Sequence, residues 1–173
     1  QIGHSGSKGS TRVAWEGIDK PLEQGNWQVV GPSNVPYSPE NQIPVALTRE
    51  GMDKIKSEFV MATRRARDAD FDMIELHCAH GYLLSGFISP VQNKRTDEYG
   101  GSLENRLRYP LEIFHAMRAE WPEDRPISVR ISAHDWMGEE GVVPDAAVLI
   151  ARAFKEAGAD LICFPECFVP GYR

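Results

Sequence analysis

The chain has 173 residues, 42% of them hydrophobic and 25% charged, with a net charge of -6. That is enough chain for one domain with a real core, and the acidic balance argues against nucleic acid or an acidic membrane as partner. No apolar run approaches the roughly 18 residues of a membrane span, and Gln1 opens into IGHSGSKGS with neither a leader pattern nor a starting methionine, as a piece of a longer protein would. Cys78, Cys163 and Cys167 are too few for a disulfide framework and suit a reducing, cytoplasmic setting.

Gln1 to Gly9 reads as a strand end running into a Gly/Ser-rich loop. Thr11 to Pro44 is rich in proline and glycine and lacks a sustained period. A structureless stretch of that length is expected to cover a site, with Trp15 and Trp27 as its apolar anchors. Thr48 caps a helix running to about Asp68, with Met52, Ile55, Phe59, Ala62 and Ala66 as one stripe. Arg64, Arg65 and Arg67 complement its C-terminal dipole. Asp70 takes the left-handed turn that follows, and Phe71 to Leu76 forms the next strand.

Leu103 to Trp121 is a second helix, with Leu107, Leu111, Phe114 and Met117 on one face, and Pro110 should kink or restart it. Ile127 to Ser132 is a strand. Pro144 to Ala157 is a third helix, begun by proline and ended by Gly158, and Asp160 to Phe164 is a strand. This alternation means parallel strands with crossover helices. Ala69-Asp70-Phe71-Asp72-Met73-Ile74 matches Ala157-Gly158-Ala159-Asp160-Leu161-Ile162, a weak internal repeat of the helix-to-strand junction. No Gly-rich phosphate fingerprint follows a strand, so a Rossmann domain is disfavoured. The expected fold is α/β: about four parallel strands of a partial (β/α)8 TIM barrel, in one domain over residues 1–173, with 162–173 an atypical tail. A full barrel takes about 250 residues.

Barrel chemistry gathers at strand C-termini, where this chain places His77, His80 and Tyr82. Imidazoles exchange protons near neutrality and a phenol can protonate a carbanion. The three residues suit a carbonyl clamp with a proton donor. A metal site using His77 and His80, with Cys78 nearby, needs three or four ligands, and the remaining sequence offers no clear partner set; plain strand capping is the structural alternative. Arg130 lies between Val129 and Ile131 in an apolar strand and needs an acceptor. That acceptor is either an electron-rich ligand or Glu75 on the neighbouring strand. Gln1, at another strand end, can read an amide-like edge. Asn93 to Arg106, NKRTDEYGGSLENR, reads as a loop and helix start, without chemistry of its own.

The stretch HCAHGYLLSGFISPVQNKRTDEYGGSLENRLRYPLE resembles the signature region of the old yellow enzyme family of FMN-dependent NAD(P)H oxidoreductases. QIGHSG and SVRIS fall where that family has matching strands, and the likeness runs from Gln1 to about Leu161. GSTRVAWEG and NWQVVGPSNVPYSP are closest to the reductase half of the bifunctional salicylyl-CoA 5-hydroxylase and anthraniloyl-CoA monooxygenase type.

The resemblance implies FMN at the C-terminal face of the barrel, reduced by NAD(P)H, with Gln1 and Arg130 at the flavin's pyrimidine edge. It places His77 and His80 on the substrate carbonyl and makes Tyr82 the proton donor to an activated alkene. The substrate would be a small molecule, an aromatic CoA thioester if the narrower likeness holds, and no metal is implied.

Ser7 stands where the family has arginine, Asp70 where it has glycine and Val143 where a threonine cap is usual. After Leu161 the chain reads ICFPECFVPGYR instead of the family's continuation. The strands that anchor the FMN phosphate are expected to lie outside this chain. Weak or no FMN binding by the chain alone follows, and so does the competing reading of a non-catalytic remnant that folds with a partner or as a homo-oligomer.

Overall fold

The computed structural model describes residues 1–17 and 19–165. The elements in order are a 3-10 turn at Gly6–Lys8, α1 (Ala14–Gly17), β1 (Val30–Gly31), β2 (Val45–Ala46), α2 (Arg49–Asp68), β3 (Ile74–Cys78), α3 (Leu83–Ile88), α4 (Leu103–Glu120), β4 (Ile127–Ile131), a 3-10 turn at Gly138–Glu140, α5 (Pro144–Glu156) and β5 (Leu161–Cys163). The main sheet has the order β3-β4-β5, all parallel. Ile2 adds a fourth strand position, bridging in parallel to Leu76. Its N–H donates to the Glu75 carbonyl, and its carbonyl accepts from His77 N–H. This is the α/β arrangement of parallel strands and crossover helices that the alternation predicts.

The sheet has two unlike faces because side chains alternate along a strand. Ile2, Ile74, Leu76, Cys78, Ile127, Val129, Ile131 and Ile162 pack with Met52, Ile55 and Phe59 of α2, Ile113, Phe114 and Met117 of α4, and Ile150 and Phe154 of α5. Register puts Glu75 beside Ser128, His77 beside Arg130 and Arg130 beside Cys163 on the opposite face. One face is therefore core and the other carries polar and titratable groups.

The helix α2 begins where the cap predicts, with Thr48 Oγ1 accepting from Gly51 N–H at 3.2 Å. Its buried stripe is Met52, Ile55, Phe59 and Thr63. Thr63 takes the place expected of Ala62 by returning its hydroxyl to the Phe59 carbonyl at 2.9 Å. The repeat seen in the sequence is a repeated helix stop. Asp70 has φ +60 and Gly158 φ +103, and each follows the same bonding. Phe71 N–H donates to the Ala66 carbonyl and Asp70 N–H to that of Arg67, just as Ala159 and Gly158 donate to Phe154 and Lys155. The strand after Asp70 starts later than its hydrophobicity suggests, because Phe71 and Met73 are exposed in the junction.

Pro110 does not restart α4, which runs through it as one element. The turns on both sides are held by buried Leu107, Tyr109, Ile113 and Phe114, and Tyr109 Oη donates to the Met52 carbonyl of α2 at 2.9 Å. Burial on both sides offsets the missing N–H. Val143 leaves α5 without a side-chain cap.

The long loop departs from expectation in its anchors. Trp15 is 84% exposed and Trp27 55%, while Val29 is 2% exposed. The short parallel pair β1–β2 and polar ties do the holding: Asn41 Nδ2 donates to the Asp19 carbonyl at 2.7 Å and Asn34 Nδ2 to the Pro44 carbonyl at 2.9 Å. The helix α3 has no counterpart in the sequence reading. All six of its residues are buried, so it shows no amphipathic period. Of the expected tail, residues beyond 165, Cys167 among them, lie outside the described residues.

Candidate active site

His77 lies inside β3, next to its last residue, and is 5% exposed. The chain then turns sharply. His80 and Gly81 have φ +62 and +72, and Tyr82 N–H donates back to the Ala79 carbonyl at 3.3 Å. Two positive φ values at the centre of such a turn are the mark of a type I′ turn. Glycine serves there for a second reason, since a Cβ on Gly81 would stand 2.8 Å from the Tyr37 ring of the long loop. The turn folds His80 back over His77. His80 Nδ1 and His77 Nε2 face each other at 3.2 Å, and the Tyr82 ring packs 5.1 Å from that of His77. His80 N–H donates to Ser132 Oγ at 3.1 Å, which ties the turn to the end of β4.

The three residues expected from the sequence are thus brought together. His77 is held neutral, its pKa lowered to about 4, first by burial and then by the adjoining His80. Glu75 opposes that effect, while Arg130 and Lys8 add to it. A neutral imidazole can donate one N–H without carrying charge. His77 Nδ1 is buried and has no hydrogen-bond partner among the described residues.

Gln1 and Arg130 also meet, through a residue the sequence reading named only as an alternative. Glu75 Oε1 accepts from Gln1 Nε2 at 2.6 Å and from Arg130 Nε at 2.9 Å, and its Oε2 accepts from Ser128 Oγ at 3.3 Å. Arg130 Nη1 donates to the Phe164 carbonyl at 3.0 Å. Burial pushes the Glu75 carboxyl up, but hydrogen bonds from Arg130, Gln1 and Cys163 outweigh it and hold the group below the usual carboxylate range. Of the two acceptors expected for Arg130, the structure supplies Glu75 on the neighbouring strand. A guanidinium and an amide side by side offer donors and one acceptor. That donor set fits the alternating carbonyl, N and N–H pattern of a flavin's pyrimidine edge.

Lys8, absent from the sequence-based site, completes the surroundings. Its ammonium lies 4.3 Å from the Tyr37 ring centroid and 5.2 Å from that of Tyr82, and 3.4 Å from the His80 carbonyl. Its position in a Gly/Ser loop gave no signal. Tyr37 and Lys8 help line a cleft of about 630 Å³ that includes His80, Ser89, Asp135 and Trp136. The long loop covers this cleft through Val35, Pro36, Tyr37 and Ser38, as its length suggested. The segment after α3 is structural. Asn93, 4% exposed, donates to the Phe87 and Tyr99 carbonyls at 2.7 and 2.8 Å, and Arg95 reaches the Leu47 carbonyl at 2.7 Å. Among the described residues, no three His, Cys, Asp or Glu side chains gather as a metal site.

The parallel α/β sheet thus carries a histidine pair and a tyrosine at its strand exit. The chain belongs to the NADH:flavin oxidoreductase / NADH oxidase family, whose model matches residues 1–167, slightly beyond the Leu161 limit read from the sequence. It is 48% identical to the NADH:flavin oxidoreductase FG08077 of Gibberella zeae, over 94% of this chain and 43% of that protein. It is 39% identical to the NADPH dehydrogenase of Bacillus subtilis, over 100% of this chain and 52% of that protein. The chain thus spans about half the length of these curated relatives. Among solved structures, a 2-naphthoyl-CoA reductase bound to 2-naphthoyl-CoA superposes with a TM-score of 0.80 at 29% identity, covering 95% of this chain and 25% of that one. Morphinone reductase in complex with tetrahydroNAD superposes with a TM-score of 0.70 at 27% identity, covering 80% of this chain and 42% of that one.

Proposed function

We propose that this chain forms the substrate-facing part of an FMN-dependent NAD(P)H oxidoreductase of the ene-reductase type. The observation that carries the reading is the convergence of His77 Nε2 and His80 Nδ1 at 3.2 Å, with the Tyr82 ring packed against His77. Bound FMN would supply the hydride, taken from NAD(P)H and passed to the β-carbon of an activated alkene. Gln1 and Arg130, aligned by Glu75, would hold the flavin ring edge. With a substrate bound, the two imidazoles would give up their mutual 3.2 Å contact and each donate an N–H to the substrate carbonyl oxygen. That arrangement stabilises negative charge on a carbonyl oxygen as it develops. Tyr82 delivers a proton to the α-carbon and recovers one from solvent, so that one hydride and one proton are added across the double bond.

One finer point belongs to the same proposal. The likeness to a 2-naphthoyl-CoA reductase supports an aromatic acyl thioester as substrate. So does the sequence resemblance to the reductase half of salicylyl-CoA 5-hydroxylase and anthraniloyl-CoA monooxygenase.

The test is a Tyr82→Phe variant of the FMN-loaded protein. Alkene reduction should fall about 100-fold or more, the scale of a lost general acid. NAD(P)H oxidation with oxygen as acceptor should persist, because that reaction needs no proton at carbon. Unchanged alkene reduction in Tyr82→Phe would remove tyrosine from the mechanism.

A further inference from the structure

The loop after β4 holds an aromatic side chain in an unusual posture. Trp136 is 71% exposed, and its backbone φ is +61. A bulky residue in the left-handed region is an outlier, and such strain persists only where the surroundings impose it. Here they do. Asp135 Oδ2 accepts from Ser89 Oγ at 2.6 Å and from Val142 N–H at 2.9 Å, and Asp135 N–H donates to the Val142 carbonyl at 2.9 Å. The neck of the loop is therefore pinned to the segment after α3. Trp136 N–H donates to His134 Nδ1 at 2.6 Å. The two rings stack at 4.7 Å between centroids and 24° between planes. His134 backs the indole, and both line the cleft that contains His80. Burying this large apolar ring elsewhere would have released the strain and removed the exposure. Instead it is braced at the mouth of a cleft of about 630 Å³, within the range of roughly 300–1,000 Å³ typical of small-molecule sites.

We propose that the His134–Trp136 stack is a ring-binding platform that receives a planar aromatic group carried by the carbonyl substrate. The inference rests on the functional reading above and deepens it: His80 marks the carbonyl end of the cleft and Trp136 the aryl end. Offset stacking on indole favours a flat ring over an aliphatic group. The platform therefore sets preference among substrates and leaves the chemical step alone.

The experiment compares two enones that differ only in one substituent, benzylideneacetone with a phenyl group and ethylideneacetone with a methyl group. In the FMN-loaded protein, Trp136→Ala should raise KM for benzylideneacetone about 5- to 10-fold. It should leave kcat and the KM for ethylideneacetone within about twofold. Trp136→Phe should restore most of the loss, since phenyl still stacks. An equal rise for both enones, or no rise for either, overturns the platform. If the unaltered protein reduces neither enone, the functional reading falls, and calorimetric binding of benzylideneacetone then decides the platform separately. Binding weakened by Trp136→Ala and regained in Trp136→Phe upholds it. Binding indifferent to the variants, or absent, overturns it.

Discussion

Replacing Glu75 by glutamine removes one charge from the centre of the polar sheet face and keeps the shape. Its side chain is 12% exposed and that of Arg130 22%, so this pair is poorly screened by water. Breaking a buried pair costs about 3–5 kcal/mol because a charge is left uncompensated. A glutamine oxygen still accepts from Arg130, which lowers the expected cost of Glu75→Gln to about 2–3 kcal/mol. For a chain of this size that is a fall in Tm of about 5–10 °C. The double variant Glu75→Gln, Arg130→Met should recover much of the loss, since it leaves no unpaired charge. The pH dependence has a fixed sign. The folded-state pKa of Glu75 lies below its ordinary value, so its stabilisation is complete above about pH 4.3. It is lost as pH falls through the lower folded value. Thermal unfolding of Glu75→Gln, of Arg130→Met and of the double variant against pH is the assay. Strict additivity of the two single changes, or an undiminished gap at low pH, would refute the coupling of Glu75 to Arg130.

Two further outcomes follow from the same geometry. His77 titrates at about 4 in the fold, against about 6.5 when unfolded. Its neutral form thus contributes stability that is full above pH 6.5 and is lost as pH falls towards 4, by about 3–4 kcal/mol in total; histidine NMR titration and pH-dependent unfolding would check it. Gly158→Ala should cost about 1–2 kcal/mol in chemical denaturation. At φ +103 nothing lies within 4 Å of the added Cβ, so the cost is that of the backbone alone.

Much of this protein is legible along the chain because it depends on neighbours in sequence. The Thr48 cap, the start of α5 at Pro144 and the left-handed stop at Asp70 are local events, decided by one or two residues and the backbone bonds they permit. The alternation of strand and helix follows from hydrophobic periods that any parallel α/β sheet must show. His77, His80 and Tyr82 lie within six residues, so a strand followed by a tight turn was enough to suggest their meeting.

The rest depends on residues far apart in sequence. Glu75 and Arg130 could equally have served a ligand or each other, and only the β3–β4 register gave them to each other while leaving both on the polar face. Lys8 and Tyr37 reach the site from loops whose composition is uninformative. Their places come from the closure of the long segment over Gly81. Trp15 and Trp27 looked like anchors because tryptophan usually seeks burial, yet polar ties and the short β1–β2 pair hold that loop and leave both rings in solvent. Helix α3 was invisible for the opposite reason: burial on every side erases the period that would mark it. Local sequence determined where elements start and stop, because caps and turns act within a few residues. Tertiary structure alone decided which polar groups face one another, because register and loop closure set distances that no spacing along the chain encodes.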